Sequence, residues 1–382
     1  MTPSLSFALV YGAQFAAIGA MMPFLPAILA EAGLSTAQVG LLLAVGSLVR
    51  LVAAALIGRL ADRAPDMRLV LALAALFAAV SALGFGLAAG FAALLAVQLL
   101  HSIAAAPIVP LSDALAVGAV QRGGFDYARV RSAGSIAFMF GALLAGIGAE
   151  WAGPRIAAWM LVLGLLVTAW AALRLPAPSP RTSATPVEPA SGSLWAPLAE
   201  TGFRWILPLA ALIQGSHAVY YAFGTLHWQA AGLSTGFIGL LWALGVLAEI
   251  LLFLCGRSLV ARLGVRGLTL IAAGAGVLRW AMTALTSDPA ALVVIQLLHG
   301  ATFGAMHLAA MRALMALPAG ISGRAQSLLA SAVSATTGVL IWASGPLYGV
   351  AGGMTFLAMA ALCLLAFRLA LQPAPDHVWR RP

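Results

Sequence analysis

Unbroken apolar runs dominate the chain and predict helices that cross a membrane. Each run has about 20 residues or more, which at a rise of about 1.5 Å per residue spans a bilayer core. The runs do not alternate polar and apolar positions with period two, so they are not the strands of a membrane β-barrel. The predicted spans are residues 6–30, 37–58, 69–89, 91–118, 132–150, 156–175, 205–230, 237–256, 267–285, 290–316, 325–346 and 351–371. The pattern therefore predicts an all-α membrane protein of twelve transmembrane helices.

The composition agrees with this prediction. Of 382 residues, 63% are hydrophobic and 8% are charged, and the mean hydropathy is +1.03. The net charge of +9 is the balance of 20 arginines against 11 acidic residues, and of the arginines in loops or at span ends all but Arg155 lie on one side of the predicted membrane path. By the positive-inside rule this distribution places both termini in the cytoplasm. The basic charge thus reflects topology in a lipid bilayer, and no nucleic acid is expected as a partner.

A proline-rich segment divides the spans into two sets of six. Residues 176–193 read PAPSPRTSATPVEPASGS, a composition typical of a flexible linker. Trp195 follows in a short stretch suited to the membrane interface. We therefore predict an N-terminal six-helix bundle over residues 1–175, a cytoplasmic linker with an interfacial segment over 176–203, and a C-terminal bundle with a short cytoplasmic tail over 204–382.

The two sets are copies of one unit. Residues 32–50, AGLSTAQVGLLLAVGSLVR, match residues 231–249, AGLSTGFIGLLWALGVLAE, at eleven of nineteen positions. The tetrapeptide QLLH likewise occurs at 98–101 and again at 296–299. Because six spans is an even number, both copies enter the membrane from the same side. Parallel repeats of this kind are related by a pseudo-two-fold axis along the membrane normal, and the expected ligand site lies at mid-depth between them.

Several motifs resemble those of the major facilitator superfamily. GRLADRAPDMR, from residue 58, resembles the superfamily signature after the second helix, and the resemblance implies that Arg59, Asp62 and Arg63 gate the cytoplasmic side. PLSDALA at 110–116, DYARVRSAGS at 126–135, LRW at 278–280 and QLLHGATFGAMHLAAMR at 296–312 resemble the phenylpropionate transporter branch. The resemblance implies a proton-driven importer of small aromatic carboxylates in a bacterial inner membrane, and a monomer is expected because nothing in the sequence requires an oligomer. Its partners would be a small-molecule substrate and protons, with the proton gradient as energy source and no cofactor.

Four charged residues stand out inside the predicted spans, away from the span ends: Arg50, Asp113, Glu249 and Arg279. A charge near the bilayer centre costs about 2.5 to 3.5 kcal/mol on insertion scales, so each should face protein or water and have a partner. Depth along the spans puts Asp113 within reach of Arg50. It leaves Glu249 able to pair with either Arg279 or Arg312. Glu249 or Asp113 could carry the coupled proton, or each could form a static ion pair between helices.

Polar and aromatic residues predict the substrate site. Gln214, His217, Tyr221 and Trp228 recur at helical spacing on one face of span 7. In the superfamily layout, spans 1, 4, 7 and 10 line the cavity, and the other three contribute Tyr11, Gln14, Gln98, His101, His299, Phe303 and His307. Aromatic rings could hold a substrate ring, and imidazole and amide groups could hold its carboxylate. The alternative is that these side chains bridge helices without touching substrate.

The sequence contains no phosphate-binding loop, no zinc-ligand spacing and no Ser/His/Asp order. It therefore gives no support to ATP-driven transport, a metal site or an enzyme. We expect a proton-coupled symporter of a small organic, aromatic carboxylate that works by alternating access. Proton-coupled export, uptake of a sugar, nucleoside or drug, and a polytopic protein that does not transport are the alternatives. Uptake under an imposed pH gradient separates them.

Overall fold

A computed structural model describes residues 2–121, 125–176 and 193–372, and in these ranges the regular structure is entirely helical. Three short helical turns accompany the α-helices: 3-10 turns at Ala196–Ala199 and Gly352–Thr355, and a π-helical turn at Gly300–Gly304. The α-helices are α1 (Pro3–Glu31), α2 (Thr36–Arg63), α3 (Met67–Leu87), α4 (Phe91–Ala105), α5 (Ile108–Gln121), α6 (Tyr127–Ala152), α7 (Ile156–Leu173), α8 (Thr201–Gly215), α9 (Ala218–Ala230), α10 (Thr235–Cys255), α11 (Arg257–Leu285), α12 (Pro289–His299), α13 (Ala305–Met315), α14 (Ala319–Ala351) and α15 (Phe356–Leu371).

The predicted spans are present as helical segments. Among the described residues, 11 segments are long and apolar enough to cross a membrane. The last of them, Gly320–Leu371, has 52 residues and holds two helices, α14 and α15. Counting these two separately gives the twelve helices that the sequence predicts. Most of the proline-rich linker and the C-terminal tail lie outside the described residues.

Two spans are broken near their middle. Span 4 divides into α4 and α5 at Ala106 and Pro107, as expected where a proline removes a backbone donor and crowds the preceding turn. Span 7 divides into α8 and α9 at Ser216 and His217, where no proline lies at the break. The sequence did not predict this second break, and it places His217 where carbonyl groups are free to accept hydrogen bonds.

The repeated AGLST segment is a helix stop followed by a helix start. Gly33 and Gly232 have φ angles of 85° and 84°, a left-handed conformation that glycine adopts without steric cost. The serine two residues later then caps the next helix: Ser35 accepts from the Gln38 amide at 3.3 Å, and Ser234 accepts from the Phe237 amide at 3.2 Å. The polar identity between the repeats is therefore explained by backbone geometry.

An arginine after the second helix of each repeat also has a capping role. Arg68 donates to the carbonyl of Leu175 at 2.8 Å, and Arg266 donates to the carbonyl of Ala370 at 3.0 Å. Both acceptors lie at the C-terminal end of the last helix of their repeat, where carbonyls lack helical partners. Arg68 also pairs with Asp66 at 2.8 Å, and this pairing lowers the pKa of the Asp66 carboxyl below its usual range.

Contacts divide the chain into two compact units. Unit 1 comprises Met1–Thr182 and Ala222–Ala243, and unit 2 comprises Ser183–Tyr221 and Leu244–Pro382. In unit 1, α1 packs against α6 and α7, and α3 packs against α7. In unit 2, α11 packs against α15 and α13, while α8 packs against α14. This division differs from the predicted bundles because it assigns Ala222–Ala243 to unit 1, so the predicted bundle boundaries stay a prediction.

Within unit 1, the C-terminal end of α6 packs tightly on the N-terminal end of α10. A Cβ built on Gly146 would lie 2.5 Å from the carbonyl oxygen of Thr235, and one built on Gly239 would lie 2.6 Å from that of Ala142. The Glu150 carboxylate accepts from the Gly236 amide at 2.9 Å. Glu150 thus caps α10 from a neighbouring helix, where the helix N-terminus favours a negative charge.

Candidate substrate and proton site

The break between α8 and α9 fixes His217 inside unit 2. The residue is fully buried, and its Nδ1 lies 3.2 Å from the carbonyl oxygen of Ile213 and 3.1 Å from that of Gln214. Carbonyls only accept, so Nδ1 carries the hydrogen and Nε2 accepts. Thr302 Oγ1 lies 3.3 Å from Nε2. Both ring nitrogens are therefore used by the protein, and direct contact of His217 with a substrate stays a prediction.

Arg279 is the central charge of this unit. Its side chain is fully buried, and its guanidinium donates to His299 Nδ1 at 2.9 Å, to Thr302 Oγ1 at 3.2 Å and to Gln296 Oε1 at 3.0 Å. All three acceptors are uncharged groups when His299 is neutral. No carboxylate lies within ion-pair distance among the described residues, and Nε has no hydrogen-bond partner there. Arg279 is thus a buried cation held entirely by neutral groups.

Two aromatic rings flank the guanidinium. Its carbon lies 4.5 Å from the centre of the Trp280 ring and 4.9 Å from that of Tyr220. Trp280 is itself fixed, since its Nε1 donates to Ser216 Oγ at 2.9 Å at the helix break. Aromatic faces attract a desolvated cation, so this arrangement orients the guanidinium without neutralising its charge.

Glu249 faces the opposite nitrogen of His299. A guanidinium has no acceptor, so His299 Nδ1 must accept from Arg279, and the ring hydrogen is then on Nε2. Nε2 lies 3.8 Å from Glu249 Oε2, beyond a direct hydrogen bond but close enough for a proton to pass after a small movement. The Glu249 side chain is 22% exposed, whereas Arg279 is fully buried. His299 thus connects the partly accessible carboxylate to the buried cation.

A stack of flat side chains continues from His299 along the tenth span. The His299 and Phe303 rings are 5.5 Å apart and inclined by 6°, and Phe303 and His307 are 6.5 Å apart and inclined by 5°. The π-helical turn at Gly300–Gly304 lies inside this stack. Such turns are frequent at functional sites, because the wider turn re-aims the side chains that follow it.

Unit 1 has a different charged cluster. Asp113 Oδ1 accepts from the Tyr11 hydroxyl at 2.6 Å and from the Tyr127 hydroxyl at 3.1 Å, and it lies 3.9 Å from Arg131 Nε. The predicted pairing of Asp113 with Arg50 is therefore wrong. Depth along a span gives no rotation about the helix axis, and α6 begins at Tyr127, early enough to bring Arg131 beside Asp113. The cluster joins two motifs on which the family resemblance rests.

The remaining candidates of spans 1 and 4 lie in unit 1. Gln14 is buried, and its Oε1 accepts from Ser112 Oγ at 3.3 Å. His101 Nδ1 lies 3.1 Å from the carbonyl oxygen of Ala78, so this ring bridges α4 and α3. Gln98 is 4% exposed, and its Oε1 has no hydrogen-bond partner among the described residues. The contact of His101 fits the alternative that this side chain bridges two helices. The Gln98 amide oxygen, in contrast, can still accept a hydrogen bond from a ligand.

The structure therefore brings only some of the predicted site residues together. In unit 2 it groups His217, Tyr221, Glu249, Arg279, His299, Phe303 and His307 around one centre. Two partners were predicted for Glu249. Arg279 forms no ion pair with it, and pairing with Arg312 stays a prediction. Trp228 is buried but belongs to unit 1, and Gln214 contributes its carbonyl. Arg63 is exposed, while the Arg59 and Asp62 side chains lie outside the described residues, so gating stays a prediction.

Sequence reasoning missed several members of these clusters. Trp280, Tyr220, Gln296 and Thr302 hold Arg279 or its neighbours, and Arg131 with Tyr127 holds Asp113. The LRW and QLLH motifs contained the signal for Trp280 and Gln296. No sequence signal separated Tyr220 from the adjacent Tyr221, because the helix break changes which one faces Arg279.

Comparisons with known proteins agree with this architecture. The family model described as "MFS_1 like family" matches residues 4–362. The "Probable 3-phenylpropionic acid transporter" of Escherichia coli (strain K12) is 34% identical over 97% of each chain. The "Maltose permease" of Geobacillus stearothermophilus is 30% identical over 74% of this chain and 71% of its own. The crystal structure of the nucleoside transporter NupG has a TM-score of 0.83 at 17% identity, covering 98% of this chain and 100% of that one.

The low identity to the solved structure limits that comparison to the fold, while the family model and the first relative each extend over nearly the whole chain. That relative is named as a transporter. This multi-pass membrane protein belongs to the MFS_1 like family, and it is a transporter of the major facilitator superfamily.

Proposed function

We propose that the protein is a proton-coupled symporter of a small aromatic carboxylate. The observation that carries this proposal is Arg279, a fully buried guanidinium whose described hydrogen-bond partners carry no formal negative charge. Burial of a cation without a counter-ion is costly, and an anionic substrate would supply the missing charge. A guanidinium also presents paired donors that match a carboxylate.

The aromatic part of the proposed substrate matches the surroundings of Arg279. Trp280, Tyr220 and Phe303 present ring faces and edges next to the guanidinium and His299. Offset or edge contacts between rings contribute beyond their buried area. The first curated relative is named as a 3-phenylpropionic acid transporter, which supports the same class of substrate.

The proposed proton site is Glu249, acting through His299. While Arg279 donates to Nδ1, the imidazole stays neutral and its Nε2 hydrogen faces the carboxylate. A substrate carboxylate that draws the guanidinium away frees Nδ1 to take up a proton from water, and the Nε2 hydrogen then passes to the Glu249 carboxylate, so that the ring is neutral again and Glu249 carries the added proton. Loading of substrate and loading of a proton would favour each other, as symport requires. The proton gradient would be the energy source, with a monomer in a bacterial inner membrane and both termini cytoplasmic.

Transport into proteoliposomes tests the proposal. Radiolabelled 3-phenylpropionate should accumulate when the outside is made acidic, and accumulation should stop when an ionophore removes the gradient. Glu249→Gln should abolish gradient-driven accumulation but keep exchange of labelled for unlabelled substrate, since exchange needs no net proton movement. Glu200→Gln, at the start of α8, is the matched control and should behave like the wild type.

Accumulation by Glu249→Gln that still follows the gradient would exclude Glu249 as the proton site. A neutral sugar is the second candidate substrate, because the relative from Geobacillus stearothermophilus is named as a maltose permease. Uptake of labelled maltose, with no uptake of 3-phenylpropionate, would replace the substrate class while leaving a transporter. Vesicles that are preloaded with substrate test the opposite direction. If efflux from them under the reversed gradient exceeds uptake, proton-coupled export would be favoured.

A further inference from the structure

The two QLLH segments form the same local packing in both repeats. Gly245 on α10 packs against the second segment, and a Cβ built there would lie 3.5 Å from His299 Cβ and 3.7 Å from Gln296 Oε1. Gly46 on α2 packs against the first segment, and a Cβ there would overlap the Gln98 amide. In each repeat the glycine lets a helix approach the glutamine closely, and in repeat 2 it does the same for the histidine. Each unit thus contains one glycine, glutamine and histidine cradle.

The charges beside the two cradles differ. One helical turn beyond the glycine, repeat 2 has Glu249 where repeat 1 has Arg50. On the third helix of the repeat, Arg279 occupies the position of Ser81, 198 residues earlier. Ser81 Oγ lies 3.4 Å from His101 Nδ1, just as Arg279 Nη1 lies 2.9 Å from His299 Nδ1. Arg50, the cation of repeat 1, therefore occupies the repeat position at which repeat 2 has the carboxylate of Glu249.

Arg50 forms no hydrogen bond or ion pair with any residue that the structure describes, and it is exposed. The exposed guanidinium lies on a different side of α2 from the exposed apolar side chains. Leu48 and Val52, 40% and 60% exposed, mark the apolar side of α2, and Arg50 is two residues from each, about 200° around the helix. Gly46, on the same face as Arg50, packs on α4. An accessible guanidinium therefore lies on the polar side of unit 1.

The groups around Arg50 are suited to an anion. The face of α4 that meets it supplies Gln98 and His101, and Arg50 lies within electrostatic range of the His101 ring. His101 Nδ1 donates to the Ala78 carbonyl, so its Nε2 is an acceptor, and the donors offered to an anion are those of Arg50 and the Gln98 amide. The Gln98 amide has an oxygen without a partner, and a half-turn of the amide would present its NH2 group instead. Asp113, the nearby acid that sequence reasoning assigned to Arg50, pairs elsewhere.

We propose that Arg50, with Gln98, forms an anion-binding subsite in unit 1 that takes the carboxylate of a small organic anion. This inference rests on the proposed carboxylate transport and deepens it, because it assigns a second receptor in addition to Arg279. The accessible Arg50 can take up an anion in the conformation described, whereas the fully buried Arg279 must first be uncovered.

The test compares ligand charge with residue charge. Purified full-length protein is titrated with 3-phenylpropionate and with 3-phenylpropanamide, its neutral analogue of nearly equal shape. Arg50→Gln should weaken binding of the anion about tenfold or more and leave binding of the amide unchanged. Arg50→Lys should recover part of the loss, because it keeps the charge but not the paired donors. Arg204→Gln, an exposed arginine of α8, should match the wild type for both ligands. Unchanged amide binding also shows that a variant is folded.

Equal effects of Arg50→Gln on both ligands, or none on either, would overturn the subsite. If Arg279→Gln lost the preference for the anion while Arg50→Gln kept it, the proposed transport of carboxylates would stand and the subsite alone would be rejected. If the wild type bound the amide as tightly as the anion, the proposed function would be refuted and the subsite with it.

Discussion

The contact between α6 and α10 gives a prediction whose size follows from the structure. Replacing Gly239 by alanine puts a methyl group 2.6 Å from the Ala142 carbonyl oxygen and 3.2 Å from the Gly146 Cα. Because an ordinary carbon to oxygen contact is about 3.4 Å, the two helices must separate by roughly 0.8 Å at this point. Overpacking of this kind costs about 1 to 3 kcal/mol.

An opposing gain must be subtracted. Alanine is favoured over glycine inside a helix by about 0.5 to 1 kcal/mol. The net expectation for Gly239→Ala is therefore a destabilisation of up to about 2.5 kcal/mol. Gly323→Ala in α14 is the matched control, because a Cβ there meets nothing within 4 Å. The control should show the helical gain alone and be stabilised.

Thermal unfolding of both purified variants in one detergent measures the difference. The melting temperature should fall for Gly239→Ala and rise for Gly323→Ala. A second measurement, hydrogen exchange, should show faster exchange at residues 235–243 in Gly239→Ala only. If both variants were stabilised equally, the close approach of α6 and α10 would not exist in the protein, and the capping role of Glu150 would fall with it.

Three further predictions concern the charged clusters. Arg279→Lys should weaken binding of 3-phenylpropionate by about 30-fold, or about 2 kcal/mol, because a single ammonium cannot replace the fork that meets Gln296 and His299; calorimetric titration checks this. Tyr11→Phe should lower the melting temperature at neutral pH by removing the 2.6 Å hydrogen bond to Asp113, which thermal unfolding of the purified variant measures. Asp66→Asn should also lower it, since the depressed pKa of Asp66 stabilises the fold above its unfolded pKa of about 3.9 and loses that effect as the pH falls; the two melting curves should therefore converge in acid.

Most of the fold could be predicted from the sequence, because membrane helices are determined by the length and hydropathy of consecutive residues. Length and hydropathy located the spans, and Pro107 located the break in the fourth. The break at His217 gave no such signal. It follows from side chains of other helices, since Trp280 and Cys363 both donate to Ser216 at the break. Tertiary contacts therefore stabilise an interruption that local propensity does not predict.

The site could be predicted only in part. The membrane limits which residue types occur in a span, but it does not determine which side chains face each other. The cost of burying charge identified Arg50, Asp113, Glu249 and Arg279 as positions that need partners. The pairs themselves depend on rotation about each helix axis, which a one- or two-residue change in a helix start alters by 100° or more. For that reason Asp113 was assigned to Arg50, although it lies beside Arg131.

The internal repeat separates the residues that build the fold from those that specialise it. Several positions identical in both copies are explained by capping: Gly33 and Gly232 end a helix, and Ser35 and Ser234 begin the next. A duplicated bundle needs these groups twice, since each copy must end and start its helices in the same places. A position with opposite charges in the two copies has no such origin, because a shared capping or packing role would call for the same type of residue in both. Arg50 and Glu249, at one repeat position with opposite charge, are therefore where substitution should alter transport more than it alters folding.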